Sequence, residues 1–360
     1  MESESYHHRS GSADDEDEDS TESQPSVPDV ICNRFDVRGM IGSGSYSEVY
    51  AGYDMARGDE VAIKLEWVRA EKGRKLLSEA KLYKCLGSHS SIPGIRWCGV
   101  EGEYNAMVMD LLGPSLESLF SSCGRKFSVG TVALLAVQML DCIEFVHQCG
   151  IVHRDIKPHN FLMGTGDRSE RVYIMDFGLA KRYRDSETGD HIPYYNRRSG
   201  VTGTVRYASI NVHQGLEPSR RDDLEGIGNV LLHFLRGSLP WQGVKAKSKK
   251  AKHQRIGECK KNTSIEELCK GFPPEFARYM HYCRSLAFAD GPDYNFLRSL
   301  MRDAMARESC RGDPRFDWVV GAAGQRLEKH SERARRGSGS QDPRKPVDRG
   351  QKSRSRKRRL

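Results

Sequence analysis

Two short polar runs, at residues 152–160 and 175–178, restrict the architecture of this chain more than any other feature. His153, Arg154, Asp155, Lys157 and Asn160 spell H-R-D-x-K-x-x-N, and Asp176, Phe177 and Gly178 spell D-F-G shortly after. This is the spacing needed to hold a metal–nucleotide and an acceptor hydroxyl together. Phosphoryl transfer asks little covalent work of a protein; it depends on positioning and charge neutralisation. In that scheme Asp155 accepts the proton of the attacking hydroxyl or orients it. Asn160 and Asp176 offer the hard oxygens that Mg2+ prefers, and Lys157 reaches the γ-phosphate. Either run alone also fits a polar loop of caps and turns, a reading that the rest of the set argues against.

The rest of the set lies upstream. Ile41, Gly42, Ser43, Gly44, Ser45, Ser47 and Val49 belong to a glycine-rich segment between two expected strands. Glycine lets backbone amides approach phosphates with no Cβ in the way. A lone G-x-G fits a tight hairpin as well as a nucleotide lid, and the usual third glycine is Ser47 here. Its significance comes from V-A-I-K at residues 61–64, which puts Lys64 near the end of an apolar strand. A lysine there is commonly a snorkelling surface residue. It gains a role if it has a carboxylate partner, and Glu79, in a helical stretch at residues 75–82, is the candidate. Its alternative is a solvated helix face.

Residues 34–111 alternate apolar and polar, with a turn signal A-R-G-D at 56–59. This predicts strands interrupted by one helix at 74–86. The period then changes. Residues 131–146 read as a long helix with a broad apolar face, and 221–234 as a second, with Ser219, Asp222 and Asp223 complementing its N-terminus. Shorter helices are expected at 265–269, 274–286 and 294–305. The fold class is α+β: an N-terminal antiparallel β-sheet lobe (34–111) with one major helix, then a larger, mostly helical C-terminal lobe (112–318). M-D-L-L-G-P at 109–114 would connect them. Met109 would close the back of an adenine pocket and Leu112 would offer backbone groups to the base. Both would also serve as plain core residues.

Taken together, H-R-D-x-K-x-x-N, D-F-G and V-A-I-K form the protein-kinase signature. More specifically, the chain resembles the casein kinase 1 family of Ser/Thr protein kinases. The motifs that carry this are L-L-G-P-S-L-E at 111–117, G-T-V-R-Y-A-S-I-N at 203–211, S-R-R-D-D-L-E at 219–225, L-P-W-Q-G at 239–243 and C-R-S-L at 283–286. Most kinases close the activation segment with A-P-E; this family carries S-I-N. The resemblance spans residues 34–318. It implies a two-lobed kinase fold and the cofactors ATP and Mg2+, with Asp155, Lys157, Lys64 and Glu79 as catalytic groups. ATP would meet Ile41, Gly42, Ser43, Gly44, Ser45, Val49, Ala62, Lys64, Met109, Leu112 and Asn160, and the metal Asn160 and Asp176. Substrates would be proteins with Ser/Thr a few residues after an acidic or phosphorylated residue, read by Arg206, Gly243 and Lys252. An arginine fork, a lysine and a backbone amide suit a phosphate. The basic run at 245–252 supports an acidic partner, although Lys245, Lys247 and Lys250 read better as a solvated loop or import patch. The resemblance further implies activity without activation-segment phosphorylation, with Asp223 bracing the catalytic loop. His159 replaces the usual aspartate of K-P-x-N and is expected to face solvent.

Charge is unevenly placed. Of 360 residues, 29% are charged and 37% hydrophobic, with net charge +8. Residues 1–33 form an acidic, Ser-rich arm containing a D/E block at 14–19, and 319–360 a basic Arg/Lys/Ser-rich tail; both compositions predict disorder. The tail would bind an import receptor or nucleic acid, or simply be solvated. Ser20 and Thr21, behind the acidic block, are expected autophosphorylation sites. No apolar run approaches membrane-spanning length and no secretory signal is expected. The ten cysteines show no metal-ligand rhythm, which points to a reducing compartment, cytoplasm or nucleus; a monomer is expected. A scaffold that has lost catalysis would lack one of Lys64, Asp155, Asn160 or Asp176, and none is lost. A nucleic-acid protein built on the tail would not depend on Asp155.

Overall fold

The computed structural model describes residues 25–44, 47–69, 75–185, 187–195, 200–308 and 315–320. The acidic block, Ser20, Thr21, Ser45 and the basic tail from 325 lie outside the described residues. The chain divides into two compact units, one comprising residues to 89 with Pro93–Leu112, the other Ser90–Ile92 with 113 onward.

In the first unit, valine, isoleucine and tyrosine at alternate positions build a six-stranded antiparallel sheet. Its strands are β1 (Val30–Ile31), β2 (Phe35–Ser43), β3 (Glu48–Asp54), β4 (Asp59–Trp67), β5 (Ile95–Glu101) and β6 (Tyr104–Asp110), in the order β1-β2-β3-β4-β6-β5. The one helix is α1 (Lys75–Leu86). One core cluster takes Phe35, Tyr50, Val61, Ile63, Leu65, Tyr104, Ala106 and Val108. At Gly52 a Cβ would sit 2.4 Å from the Ile63 side chain, so close strand approach requires glycine there. Arg96 of β5 ties neighbouring strands through Asp59 at 2.6 Å and Asp110 at 3.0 Å. Hydrogen bonds from Arg34 hold the buried Asp54 carboxyl below the usual carboxylate range.

Residues 25–33, expected within a disordered arm, pack against the first unit. β1 pairs with β2, Ile31 is fully buried, Val27 packs on the core, and the Tyr104 hydroxyl donates to the Pro25 carbonyl at 2.7 Å. Burial of Val27 and Ile31 is apolar gain that the acidic composition upstream conceals.

The second unit is mostly helical: α2 (Leu116–Ser122), α3 (Val129–Gln148), α4 (Ile210–His213), α5 (Arg220–Arg236), α6 (Lys249–Asn262), α7 (Ile265–Leu268), α8 (Pro274–Ser285) and α9 (Tyr294–Glu308). Two small antiparallel pairs complete it. β7 (Ile151–Val152) pairs with β10 (Lys181–Arg182), and β8 (Phe161–Met163) with β9 (Val172–Ile174). Ser115, Ser128, Ser209, Ser248 and Ser264 cap α2, α3, α4, α6 and α7, each accepting a hydrogen bond from an amide of the first turn.

Two expectations need correction. Lys250, expected in a solvated loop or import patch, lies in the first turn of α6. Lysines and glutamine do not show an apolar period, but the Ser248 cap and the buried Ile256 and Lys260 fix the helix. Contrary to the expectation of no membrane-length run, α3 has 20 residues, a mean hydropathy of 1.8 and is long and apolar enough to cross a bilayer. It is instead the core helix of this unit. Val132, Leu135, Met139, Ile143 and Val146 are fully buried, and Asp141 and Glu144 pair with Arg298 of α9.

Candidate active site

In the first unit the sheet register selects which side chains share a face. Val49 of β3 and Met107 of β6 lie opposite Lys64 of β4, while Met109 lies opposite Ala62. Paired residues point to the same side, and so do residues two apart. Val49, Ala62, Lys64 and Met109 therefore share one face, with Val61, Ile63 and Leu65 on the other. Helix α1 supplies Glu79, whose Oε2 lies 2.8 Å from Lys64 Nζ; both side chains are largely buried. This is the pairing expected for a functional lysine rather than a snorkelling one. Ser43 lies opposite Glu48, and the Gly44 amide donates to the Ser47 carbonyl at 2.8 Å. The described residues on either side of Ser45 therefore pair as the two arms of a hairpin, with Ile41 exposed and Gly42 in the β2–β3 ladder. Met109 is a buried strand residue, and Leu112, half-buried, is the last residue of the first unit. Next to it Gly113 must be glycine, because a Cβ would come within 2.7 Å of the Gly164 carbonyl.

In the second unit the loop between β7 and β8 gathers Asp155, Lys157 and Asn160. Asp155 Oδ2 accepts from Lys157 Nζ at 2.6 Å. Asp155 Oδ1 accepts from both the amide and the hydroxyl of Thr204, at 2.8 and 2.7 Å. Asp176 Oδ2 lies 3.8 Å from the same Lys157 Nζ. The Asn160 amide group donates to the Asp155 carbonyl at 3.0 Å, which fixes its orientation and leaves its oxygen as a donor to a cation. The Met175 amide donates to the Asn160 carbonyl at 2.9 Å, tying D-F-G to the loop. Arg154 and Asp176 both adopt positive φ, 66° and 67°. Such strain at non-glycine residues typically costs about 1–3 kcal/mol and persists only where surroundings enforce it.

Those surroundings begin with Asp223, near the N-terminus of α5. Its two oxygens accept from the His153 amide at 2.7 Å and the Arg154 amide at 2.9 Å. His147 Nε2 lies 3.0 Å from the same carboxylate. The carboxylate only accepts, so Nε2 carries the proton and Nδ1 accepts from the Tyr294 hydroxyl at 2.7 Å. Burial pushes the Asp223 carboxyl up, but hydrogen bonds from His147 and the His153 amide outweigh it and hold it below its ordinary value. Asp222 accepts from the Ser219 amide at 2.8 Å, capping α5, and from the Ser209 hydroxyl at 2.6 Å. His159 is exposed, as expected.

Arg206 and Gly243 sit on segments joined through Trp241, whose indole donates to the Arg206 carbonyl at 2.8 Å. Lys260 of α6 donates to the carbonyls of Val205 and Ala208 and lies over the Trp241 ring. Lys252, exposed, occupies the first turn of that helix. The candidate anion-binding groups are thus carried by a braced scaffold. Thr204 and His147 are site residues that the sequence reading did not assign. Thr204 lay inside the 203–211 motif, where only its neighbour Arg206 drew attention.

A carboxylate and an oriented amide oxygen suit Mg2+, which takes one or two protein oxygens and completes its shell with phosphates and water. Asp176 and Asn160 would hold it.

The family model of the protein kinase domain matches residues 35–287, more than half of the chain. The chain belongs to the protein kinase family. It is a phosphotransferase by that membership, which implies the use of ATP.

Proposed function

We propose that this kinase is a Ser/Thr protein kinase of casein kinase 1 type, transferring the γ-phosphoryl group of ATP to Ser or Thr downstream of acidic or phosphorylated residues. The observation that carries the reading is the Asp155 carboxylate, held by Lys157 on one oxygen and Thr204 on the other. A carboxylate fixed in this way accepts the proton of an incoming hydroxyl. Lys157, already beside it, neutralises charge on the phosphoryl oxygens in flight. Lys64, braced by Glu79, holds the remaining phosphates. Bound Mg2+ would supply charge neutralisation between phosphate oxygens. Lys157 in the K-P-x-N run supports Ser/Thr as acceptor, and Arg206 with Lys252 supports recognition of a negative charge beside it.

The test is initial rates on a peptide set: serine, threonine or tyrosine acceptor, preceded by phosphoserine, aspartate or alanine. Serine and threonine peptides with the upstream charge should react fastest, and Arg206→Ala with Lys252→Ala should erase that advantage while sparing the uncharged peptide. Equal rates with and without the charge, or preference for tyrosine, would refute the specificity.

A further inference from the structure

Among the described residues Lys260 is the one buried lysine, 1% exposed. Taking an ammonium out of water is costly unless hydrogen bonds and an opposite charge meet it, so what surrounds it bears on its purpose. Nζ donates to the Val205 carbonyl at 2.9 Å and also to the Ala208 carbonyl, and it lies 5.0 Å from the centre of the Trp241 ring. Burial pushes the ammonium down to about 7, and the nearby Glu225 carboxylate of α5 opposes that shift.

Backbone polar groups removed from water must find partners, and the stretch that Lys260 grips finds them in side chains. Between the two gripped carbonyls, the Arg206 carbonyl accepts from the Trp241 indole at 2.8 Å and the Tyr207 carbonyl from the Asn229 amide group at 3.0 Å. His213 Nε2 makes a further contact with the Val205 carbonyl, at 3.3 Å. Among these donors Lys260 reaches both ends of the stretch with one atom. Its ammonium thus closes the turn that carries Arg206, whose guanidinium lies over the neighbouring Tyr207 ring, 5.7 Å from its centre. The three elements that bear the proposed charge-reading groups meet at this lysine: the turn with Arg206, the segment of Trp241 that runs on to Gly243, and α6, whose first turn holds Lys252.

We infer that Lys260 is a positioning residue for recognition of the substrate's upstream charge: its buried ammonium sets the shape of the turn at 205–208 and so aims the Arg206 guanidinium at the anion. It acts through Arg206 and not on the anion itself. A guanidinium fork matches a phosphate in a narrow range of orientations, so slack in this turn falls first on substrates that carry the charge. Lys260→Met fills similar space and removes both hydrogen bonds and the cation.

This inference rests on the reading of Arg206, Gly243 and Lys252 as the site of the upstream charge, so the experiment keeps the two apart. The full chain is prepared as wild type, Lys260→Met and Trp241→Phe. Initial rates are measured on two serine peptides, one with an upstream phosphoserine and one with alanine in its place. Lys260→Met should lower the ratio of kcat/KM between the two peptides by about 10-fold, the scale of a charge-assisted hydrogen bond loosened at the phosphate. The loss should appear in KM for the phosphopeptide more than in kcat. A residue that merely holds the fold together would lower both peptides alike. Hydrogen exchange, which needs no substrate, should be faster in Lys260→Met at residues 204–209. Trp241→Phe keeps the ring and removes the donor to the Arg206 carbonyl; it should shift the ratio in the same direction, and it carries the test if Lys260→Met does not fold. An unchanged ratio overturns the inference, as does an equal loss on both peptides. A wild type with no preference for the phosphopeptide refutes the proposed specificity instead. In that case faster exchange at 204–209 still supports the ordering of the turn by Lys260, and wild-type exchange there refutes it.

Discussion

The neighbours of Asp155 leave its carboxylate little freedom, and Gly203 is the residue that makes this possible. Gly203 sits at φ 79° with room for hydrogen only, since a Cβ would lie 2.2 Å from the Arg154 carbonyl. That close approach brings the Thr204 amide and hydroxyl onto Asp155. Gly203→Ala should therefore cost about 1–2 kcal/mol from backbone strain alone. The added clash should displace Thr204, so kcat should fall more than the change in melting temperature would suggest. Paired melting and rate measurements test this; a variant with wild-type kcat would contradict it. Glu79→Gln removes one partner of a largely buried pair, a change typically costing about 3–5 kcal/mol. Affinity for ATP should drop as Lys64 loses its orientation, which calorimetric titration of the nucleotide would show. Among single residues the sequence named Asp155, Lys157, Asn160, Asp176, Lys64 and Glu79 because motif spacing carries their chemistry. It missed Thr204, because its role arises from a contact between stretches about 49 residues apart, and chain spacing does not encode such contacts.

At the scale of elements, legibility followed apolar periodicity. Helices α3, α5, α8 and α9 show a stripe at helical spacing and were located within a few residues. Helix α6 shows none: its surface is lysine, glutamine and arginine, and its stability comes from the Ser248 cap and the buried Lys260. Ser248→Ala should cost about 1 kcal/mol, seen as a lower melting temperature. β1 was hidden for a related reason, since two residues of strand carry no period. Helices α3, α4 and α5 also bring histidines into the interior of the second unit. Burial lowers the His147 imidazole below its ordinary value, and lowers His213 and His233 to about 4. His213 and His233 stay neutral in the fold down to about pH 4, whereas in the unfolded chain a histidine protonates below about 6.5. The unfolded state then binds more protons, and stability falls as pH drops from about 6.5 toward 4. Melting temperatures across that range should decline. His233→Phe, which keeps the aromatic packing against Phe120 and Phe234, should flatten the slope by about one proton taken up on unfolding. An unchanged slope would contradict the buried, neutral histidine.

For the molecule as a whole, the kinase groups are divided between two compact units, each organised around its own core. The first fixes Lys64 and Glu79 on one face of an antiparallel sheet. The second fixes Asp155, Lys157, Asn160 and Asp176 on a loop braced by α5. The sequence announced both halves because phosphoryl transfer requires these residue types in a fixed order. Asp223 was expected to brace the catalytic loop, and its amide contacts do so; His147 and Thr204 became visible as bracing residues only in three dimensions. The most direct test follows transfer of label from γ-32P-ATP to an acidic serine peptide by the full chain, beside Asp155→Asn and Asp176→Asn. The expected result is robust transfer by wild type, a loss of about 100-fold or more in kcat for Asp155→Asn with nucleotide binding kept, and metal-dependent loss for Asp176→Asn. Equal transfer by wild type and Asp155→Asn would contradict the account at its centre.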